Sequence, residues 1–161
     1  MSLNHILGAT LSFNIIKVDR ENGFALASRK SAMKTRRSYF AHRAELNTPG
    51  TRLKCRVIDV GPVRCTVECY GHDIRLTQKD LCYMSVSDLR AVYRPGQELD
   101  CVVTDYDADA DRLKISVKAA LSDPFEGAER RHPVNSRRQA VISGKYAGGV
   151  FCNLPDGTVC M

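Results

Sequence analysis

The side chains with the most chemistry to offer are seven cysteines and four histidines, and their spacing assigns them no catalytic or metal-binding work. Cys55, Cys65, Cys69, Cys82, Cys101, Cys152 and Cys160 include no C-x-x-C pair, the spacing that brings two thiolates to one zinc ion. Cys65 and Cys69 lie four apart in a strand-like stretch. That puts them on one side of a strand but roughly 13 Å apart, too far for a single zinc unless the chain bends. The count is odd, so the thiols are read as small buried hydrophobes rather than a disulfide framework. His5, His42, His72 and His132 stand in no catalytic spacing, and there is no Walker loop, H-E-x-x-H or G-x-S-x-G. Neither an enzyme, a metal centre nor a bound cofactor is expected.

What remains is charge and aromatic surface. Twenty-four Lys and Arg against 18 Asp and Glu give a formal charge of +6, with a pI near 9.0. Such a balance favours a polyanionic partner, because clustered cations displace counterions from a phosphate backbone. Arg64 and Arg75 are expected on one exposed face if the runs that carry them pair, where they either contact phosphate or only solvate the face. Tyr70 and His72 flank Gly71 in a turn, as base contacts or as solvent-exposed decoration.

The elements that hold these residues come in a repeated order. LGATLSFNIIKVDRENGFALASRKSA, from Leu7, aligns without a gap on PGQELDCVVTDYDADADRLKISVKAA, from Pro95, at an offset of 88 (95 − 7). Gly8 meets Gly96, Leu11 meets Leu99, Ile15 meets Val103, Asp19 meets Asp107, Ser28 meets Ser116 and Lys30 meets Lys118. Both copies read as a strand, an Asp-rich turn and a second strand ending in Ser-x-Lys-x-Ala, which is a hairpin pattern. At the other end AVISGKYAGGVFCNL, from Ala140, aligns on LKCRVIDVGPVRCTV, from Leu53, at an offset of 87 (140 − 53). The chain therefore reads as the C-terminal half of a module over residues 1–33, a basic linker over 34–49, a complete unit over 50–120, a linker over 121–137 and the N-terminal half of a further module over 138–161.

Within 50–120, RLKCRVIDV and VRCTVECY are β-rich runs joined at Gly61-Pro62, and HDIRL suggests a third strand. The polar QKDLCYMSVSDLRAVY is read as partly helical. Two further strands, ELDCVVTDYD and RLKISVK, flank the acidic turn from Ala108 to Asp111. Five strands with a short helix before the fourth is the order of an all-β, five-stranded antiparallel Greek-key barrel, the OB-fold.

Several marks in this order resemble the S-one domain, the RNA-binding repeat of the large ribosomal protein. They are Gly50 opening strand one, Gly96-Gln97-x-Leu99 entering strand four, the Asp-rich turn, the run from Arg112 to Ala120, and Asp123-Pro124-Phe125 beyond it. The resemblance covers the complete unit and both halves. It implies single-stranded RNA on an open sheet face, with aromatics on strands two and three stacking bases, a nearby histidine, and a basic residue starting strand five. Arg112 fits the last of these. The central unit departs from the pattern, offering Val63, Arg64 and Cys65 in place of aromatics and Ile74 and Arg75 in place of the histidine. It is expected to be a weak binder or a spacer. The last half keeps what the centre lacks: Lys145, Tyr146 and Phe151 fall around the turn between strands one and two, either stacking bases or only covering the barrel mouth.

The expected function is single-stranded RNA binding of low sequence specificity, linked to translation and the ribosome. The alternative is a spacer that docks on a ribosomal or nuclease partner without touching RNA. Both linkers carry cations, Lys34, Arg36, Arg37 and Arg43 beside Tyr39 and Phe40 in the first, Arg130, Arg131, Arg137 and Arg138 in the second. They either extend electrostatic reach or serve as solvated connectors with an aromatic tucked onto the next barrel. The two half modules are complementary and are expected to pair, within one chain or by exchange in a swapped dimer. No run of 18 apolar residues is present, and the start lacks the marks of a signal peptide, so no membrane role and a cytoplasmic location are expected.

Overall fold

The computed structural model describes residues 10–161, so His5 and the first positions of the repeat, Leu7 and Gly8, lie outside the described residues. Strands β1 (Asn14–Asp19) and β2 (Phe24–Ser28) form a hairpin, followed by helices α1 (Arg29–Ala41) and α2 (Ala44–Asn47). The central unit holds β3 (Arg52–Val60), β4 (Arg64–Cys69), β5 (His72–Thr77), α3 (Gln78–Leu81), β6 (Glu98–Asp107) and β7 (Arg112–Ser116). Helix α4 (Ala128–Arg131) then leads to β8 (Val141–Tyr146), β9 (Gly149–Asn153) and β10 (Val159–Cys160).

The central strands make one antiparallel sheet in the order β5-β4-β3-β6-β7, and β5 comes back against β7 without a hydrogen-bonded ladder. This is a nearly closed OB-type barrel. Alternation sends Leu53, Cys55 and Val57 of β3, Cys101 and Val103 of β6, and Leu113 and Ile115 of β7 into the core. At the seam His72 Nε2 lies 3.0 Å from Asp111 Oδ1, joining the start of β5 to the turn before β7. The stretch expected to be partly helical holds only α3 and a 3-10 turn at Leu89–Ala91. The Thr77–Asp80 capping box starts α3, and extended backbone at Cys82 ends it.

One end of the barrel is filled from outside residues 50–120. The first linker is largely helix: Ser28 caps α1 through the Ser31 N–H, and the run that follows has neither Gly nor Pro. Its Phe40 is fully buried in the barrel core, with ring centroids 5.3 Å from Tyr70, 5.7 Å from His72 and 5.1 Å from Tyr106.

The β1–β2 hairpin copies β6–β7 in detail. Asn14↔Ser28 answers Val102↔Ser116, and both ladders slip at one residue, Ile16 and Thr104, again 88 apart. Asp19 accepts from the Asn22 N–H as Asp107 accepts from the Ala110 N–H, and Gly23 and Asp111 both take positive φ. The β8–β9 hairpin does not copy β3–β4. It closes tightly with Tyr146↔Gly149, whereas the central pair closes at Val60↔Cys65. The residue aligned with Gly149 is Pro62, which has no N–H to give a ladder, so the central turn is wider.

The two half modules do not complete each other within the chain. β1–β2 stands as its own two-stranded sheet, while β8, β9 and β10 form a three-stranded one, so the last half also supplies the beginning of a third strand. The reason is where each is held. α1 seats the first hairpin at the β4–β5 turn, and the Asn153 side chain donates to the Ser85 carbonyl (3.0 Å) beyond the far end of β5. Six strand residues separate those anchors, about 20 Å. Apolar side chains of the first hairpin, Ile15, Ile16, Phe24 and Leu26 among them, remain exposed.

Candidate nucleic-acid interface

Antiparallel pairing of β4 and β5 sets Arg64 opposite Thr77, Thr66 opposite Arg75 and Glu68 opposite Asp73. These six share the outer face, while Cys65, Val67, Cys69 and Leu76 point inward. The face is divided in two.

Its lower half is closed by α1. Arg29 donates to both carboxylate oxygens of Asp73 (2.8 and 3.1 Å) and reaches Glu68 at 3.4 Å, and Arg36 donates to Glu68 at 2.8 Å. The Arg29 guanidinium is held above its ordinary value, first by the hydrogen bond to Asp73. Glu68 is buried beneath the two arginines, as a buried carboxylate requires. Gly71 is where the helix comes closest: a Cβ there would lie 2.4 Å from the Met33 carbonyl oxygen, and its φ is +83°. Tyr39 stacks parallel to Tyr70 at 6.5 Å, with Arg43 over the Tyr39 ring at 4.3 Å.

Among the described residues no acid-bearing partner closes the upper half in this way, and of its four side chains only Thr66 is buried. Arg64 and Arg75 are both exposed there, as their strand positions predict. No carboxylate among the described residues pairs with either, or with Arg112. Arg112 opens β7 as expected, but at the seam end, beside Asp111 and away from Arg64.

Tyr70 and His72 need correction. The turn is real, with positive φ at Tyr70 and Gly71, the twist that suits a two-residue hairpin. His72, however, is buried rather than solvent-exposed, with Nδ1 at 3.3 Å from the Cys69 carbonyl and Nε2 on Asp111. As the first residue of β5 it takes the inward alternation, and closure against β7 supplies its partner. Tyr70 is half-buried against Phe40 and the Tyr39 ring.

Lys145, Tyr146 and Phe151 lie together on the β8–β9 hairpin, apart from the arginines. The two rings meet at 5.1 Å with a 32° tilt, and both are partly exposed. Tyr146 folds back over the turn, where a Cβ on Gly148 would lie 2.9 Å from its ring. The predicted residues thus form an arginine pair, an aromatic pair and a buried turn rather than one site.

Three residues are not singled out by the sequence. Lys79, Tyr83 and Lys118 border a cleft of about 690 Å³ beside the open half-face, between the turn at 61–63 and α3. Lys118 Nζ sits 4.3 Å from the Tyr83 ring centroid. The recurrence of Lys30 at Lys118 is the one signal that points to them.

Half of the linker Lys and Arg hold a carboxylate, Arg36, Arg37, Arg43 and Arg131, while Lys34, Arg130, Arg137 and Arg138 pair with none among the described residues. Arg37 pairs with Asp111 at 3.3 Å, and Arg131 Nε donates to Asp156 at 2.9 Å. His132 Nε2 lies 2.8 Å from the same carboxylate, and Arg131 also donates to the Pro124 carbonyl. The His132 hydrogen bond is the largest influence holding Asp156 well below the usual carboxylate range. Hydrogen bonds to Cys101 and burial push the Cys55 and Cys69 thiols far up, and burial pushes Cys65 up to about 11. The described residues contain no group of three or more His, Cys, Asp or Glu placed to hold a metal, and none of their helices is long and apolar enough to cross a membrane.

No family model matches the chain. It is similar to the small ribosomal subunit protein bS1 of several bacteria. Identity is 24% over 159 residues in Neisseria meningitidis serogroup B (96% of this chain, 28% of that protein) and 27% over 148 residues in Coxiella burnetii (91% and 27%). With Pseudomonas aeruginosa it is 25% over 156 residues (95% and 28%). The chain spans about a quarter of the length of these relatives. Among solved structures, a chain of the a/eIF2alpha-aDim2p-rRNA complex from Pyrococcus horikoshii OT3 aligns at TM-score 0.41 and 13% identity, over 52% of this chain and 51% of that one. That likeness is too slight to build on.

Proposed function

We propose that this chain, whose relatives are small ribosomal subunit proteins bS1, binds single-stranded RNA with low sequence specificity and acts alongside the ribosome in the cytoplasm. Its modules divide as the repeat does, into a half unit to residue 33, a complete barrel over 50–120 and a further half from 138. The observation that carries the reading is the division of the β4–β5 face. Where α1 closes the face, Arg29 and Arg36 are paired with acids; where it is open, Arg64 and Arg75 are left without acids, free to meet phosphate. Arg112 adds a cation at the seam, and Lys145 with the Tyr146–Phe151 pair offers stacking surface on the last half module. Tyr70 and His72 serve the packing of α1 rather than RNA.

The test is fluorescence anisotropy with oligouridylate, oligoadenylate and DNA of equal length over a series of salt concentrations. Affinity falls steeply with salt, and replacing Arg64 and Arg75 by Ala flattens the log–log slope by roughly 0.7 for each phosphate of a single strand that is no longer neutralised. Replacing Tyr146 and Phe151 by Ala weakens binding by about 1–3 kcal/mol for each base left unstacked, with little change of slope. A spacer that docks on another protein is the second reading, favoured by the absence of an aromatic on the open half-face. Salt-independent binding, or variants that titrate like the parent chain, would decide for the spacer.

A further inference from the structure

Three surfaces compete for an additional role. The groove between α1 and β3 is lined by Arg36, Arg52, Lys54 and Arg56, but also by Glu68, Glu98 and Asp100. Cross-strand register sets Lys54 against Asp100 and Arg56 against Glu98, and Arg36 holds Glu68, so of the four cations only Arg52 has no acid opposite it and the groove makes no cluster of unpaired charge. The depression beside Val141 and Leu154 has no charged wall. The cleft beside α3 differs from both.

Its walls include Lys79 and Lys118 and no carboxylate. The two acids nearest in sequence are turned to other partners: Asp80 caps α3 through the Thr77 N–H and hydroxyl (3.0 and 2.8 Å), and Asp88 is held by Arg90 (2.6 Å). Neither lysine has an ion-pair partner among the described residues. Val63, Val86 and Leu89 make the apolar part of the lining, and the half-buried Tyr83 ring lies against it with Lys118 over one face. At about 690 Å³ the cleft is in the range of small-ligand pockets, which gather at junctions between units. It adjoins such a junction, since the loop that carries Tyr83 also carries Ser85, the point where Asn153 of the last half module docks. The Arg64–Thr77 pair stands at its rim, so a strand crossing the open half-face arrives there.

From these features we infer that the cleft is a nucleotide subsite. One RNA base lies against Tyr83 over the Val63–Val86–Leu89 floor, and its phosphate lies between Lys79 and Lys118. The inference rests on the RNA-binding reading and adds a position to it: Tyr83 belongs to the loop after α3, on neither strand two nor strand three. An aromatic ring gives sequence-tolerant stacking, and two unpaired lysines give the charge that a phosphate needs.

The experiment uses the full chain and a labelled oligouridylate, with ultraviolet cross-linking mapped to peptides and anisotropy of variants. Cross-links are expected on the peptide that contains Tyr83. Tyr83→Ala should weaken binding roughly 5- to 150-fold, the range for one unstacked base, while Tyr83→Phe keeps the parent affinity because the ring remains. Lys79→Ala with Lys118→Ala should reduce the salt slope by roughly 0.7, the value for the one phosphate held between them. Parent-like melting curves for Tyr83→Phe and the lysine pair confirm that the barrel is intact. If the chain binds oligouridylate in a salt-dependent way but cross-links elsewhere, and these variants titrate like the parent, the subsite is wrong and the RNA reading stands. If the parent chain binds no oligonucleotide, both fall.

Discussion

Phe40 tests whether the barrel is complete without its linker. The ring comes from α1, outside the five strands, yet it is fully buried and meets Tyr70, His72 and Tyr106 edge-on or tilted at 5.1–5.7 Å. Phe40→Ala removes that ring from a site whose walls are strands of a nearly closed sheet and cannot collapse to fill the space. Truncations of this kind cost about 3–5 kcal/mol, the transfer term plus the cavity. Domain stabilities are about 5–15 kcal/mol, so the loss is a large part of the whole. Lys114→Ala is the control, because its pair with Asp105 is exposed on both sides and such pairs contribute about 0–1 kcal/mol. Urea denaturation followed by tyrosine fluorescence suits a chain without tryptophan. A Phe40→Ala loss below about 1 kcal/mol, no larger than that of a surface pair, would refute the idea that α1 plugs the core.

Gly71→Ala should release α1, because the new methyl meets the Met33 carbonyl and the left-handed backbone there adds about 1–2 kcal/mol of strain; faster proteolytic cleavage within residues 29–41 reports it. Release of α1 should in turn uncover Glu68 and Asp73. Acid should loosen the grip of the second linker on the last half module. Asp156 has a depressed folded pKa, so its stabilisation is complete above the ordinary aspartate value of about 3.9 and disappears as pH falls through the lower folded value. An NMR titration in which Asp156 protonates at about 4 or higher contradicts this. Thiol counting with a disulfide reagent should find two fast cysteines, the exposed Cys160 and half-buried Cys152, and five slow ones that react only on unfolding. More than two fast thiols in the native chain would mean that the barrel opens.

The hairpins are legible because their signals are local. Alternation, an Asp that accepts from the backbone three residues on, and a left-handed position after it recur 88 residues apart, and the ladders slip at the same place. Helix α1 is hidden by its own function. The stripe that meets the barrel is Ala32, Arg36 and Phe40, and an arginine in the middle of a docking stripe reads as solvent-facing until Glu68 is seen beneath it. His72 is misplaced by sequence reasoning because what buries it, Asp111 and Phe40, lies 39 and 32 residues away. Of the candidate site, Arg64 and Arg75 follow from strand parity alone. The cleft does not, since Lys118 lies 35 residues beyond Tyr83 (118 − 83) and only barrel closure brings it to Lys79 and Tyr83.

Both linkers pack onto the module that follows them. The first places Phe40 in the core of the central barrel and sets Arg36 on Glu68 and Arg37 on Asp111. The second sets Arg131 and His132 on Asp156, and the Thr158 hydroxyl donates to the Pro124 carbonyl (3.1 Å). Arg36, Arg37 and Arg131, cations that looked free to extend along a polyanion, are therefore used to fix where one module sits against the next. This changes how charge produces binding. A net charge of +6 spread over mobile connectors would attract any polyanion weakly, whereas pairing takes Arg36, Arg37 and Arg131 out of play, and unpaired cations stand at defined places, Arg64 and Arg75 on the half-face and Lys79 and Lys118 at the cleft among them. Rigid spacing between contacts adds affinity only for a strand whose own spacing matches, because effective concentration vanishes when the geometry forbids simultaneous contact. On the proposed RNA-binding reading, selectivity for flexible single strands over stiff duplexes would follow from the docking of α1 as much as from any residue that touches RNA.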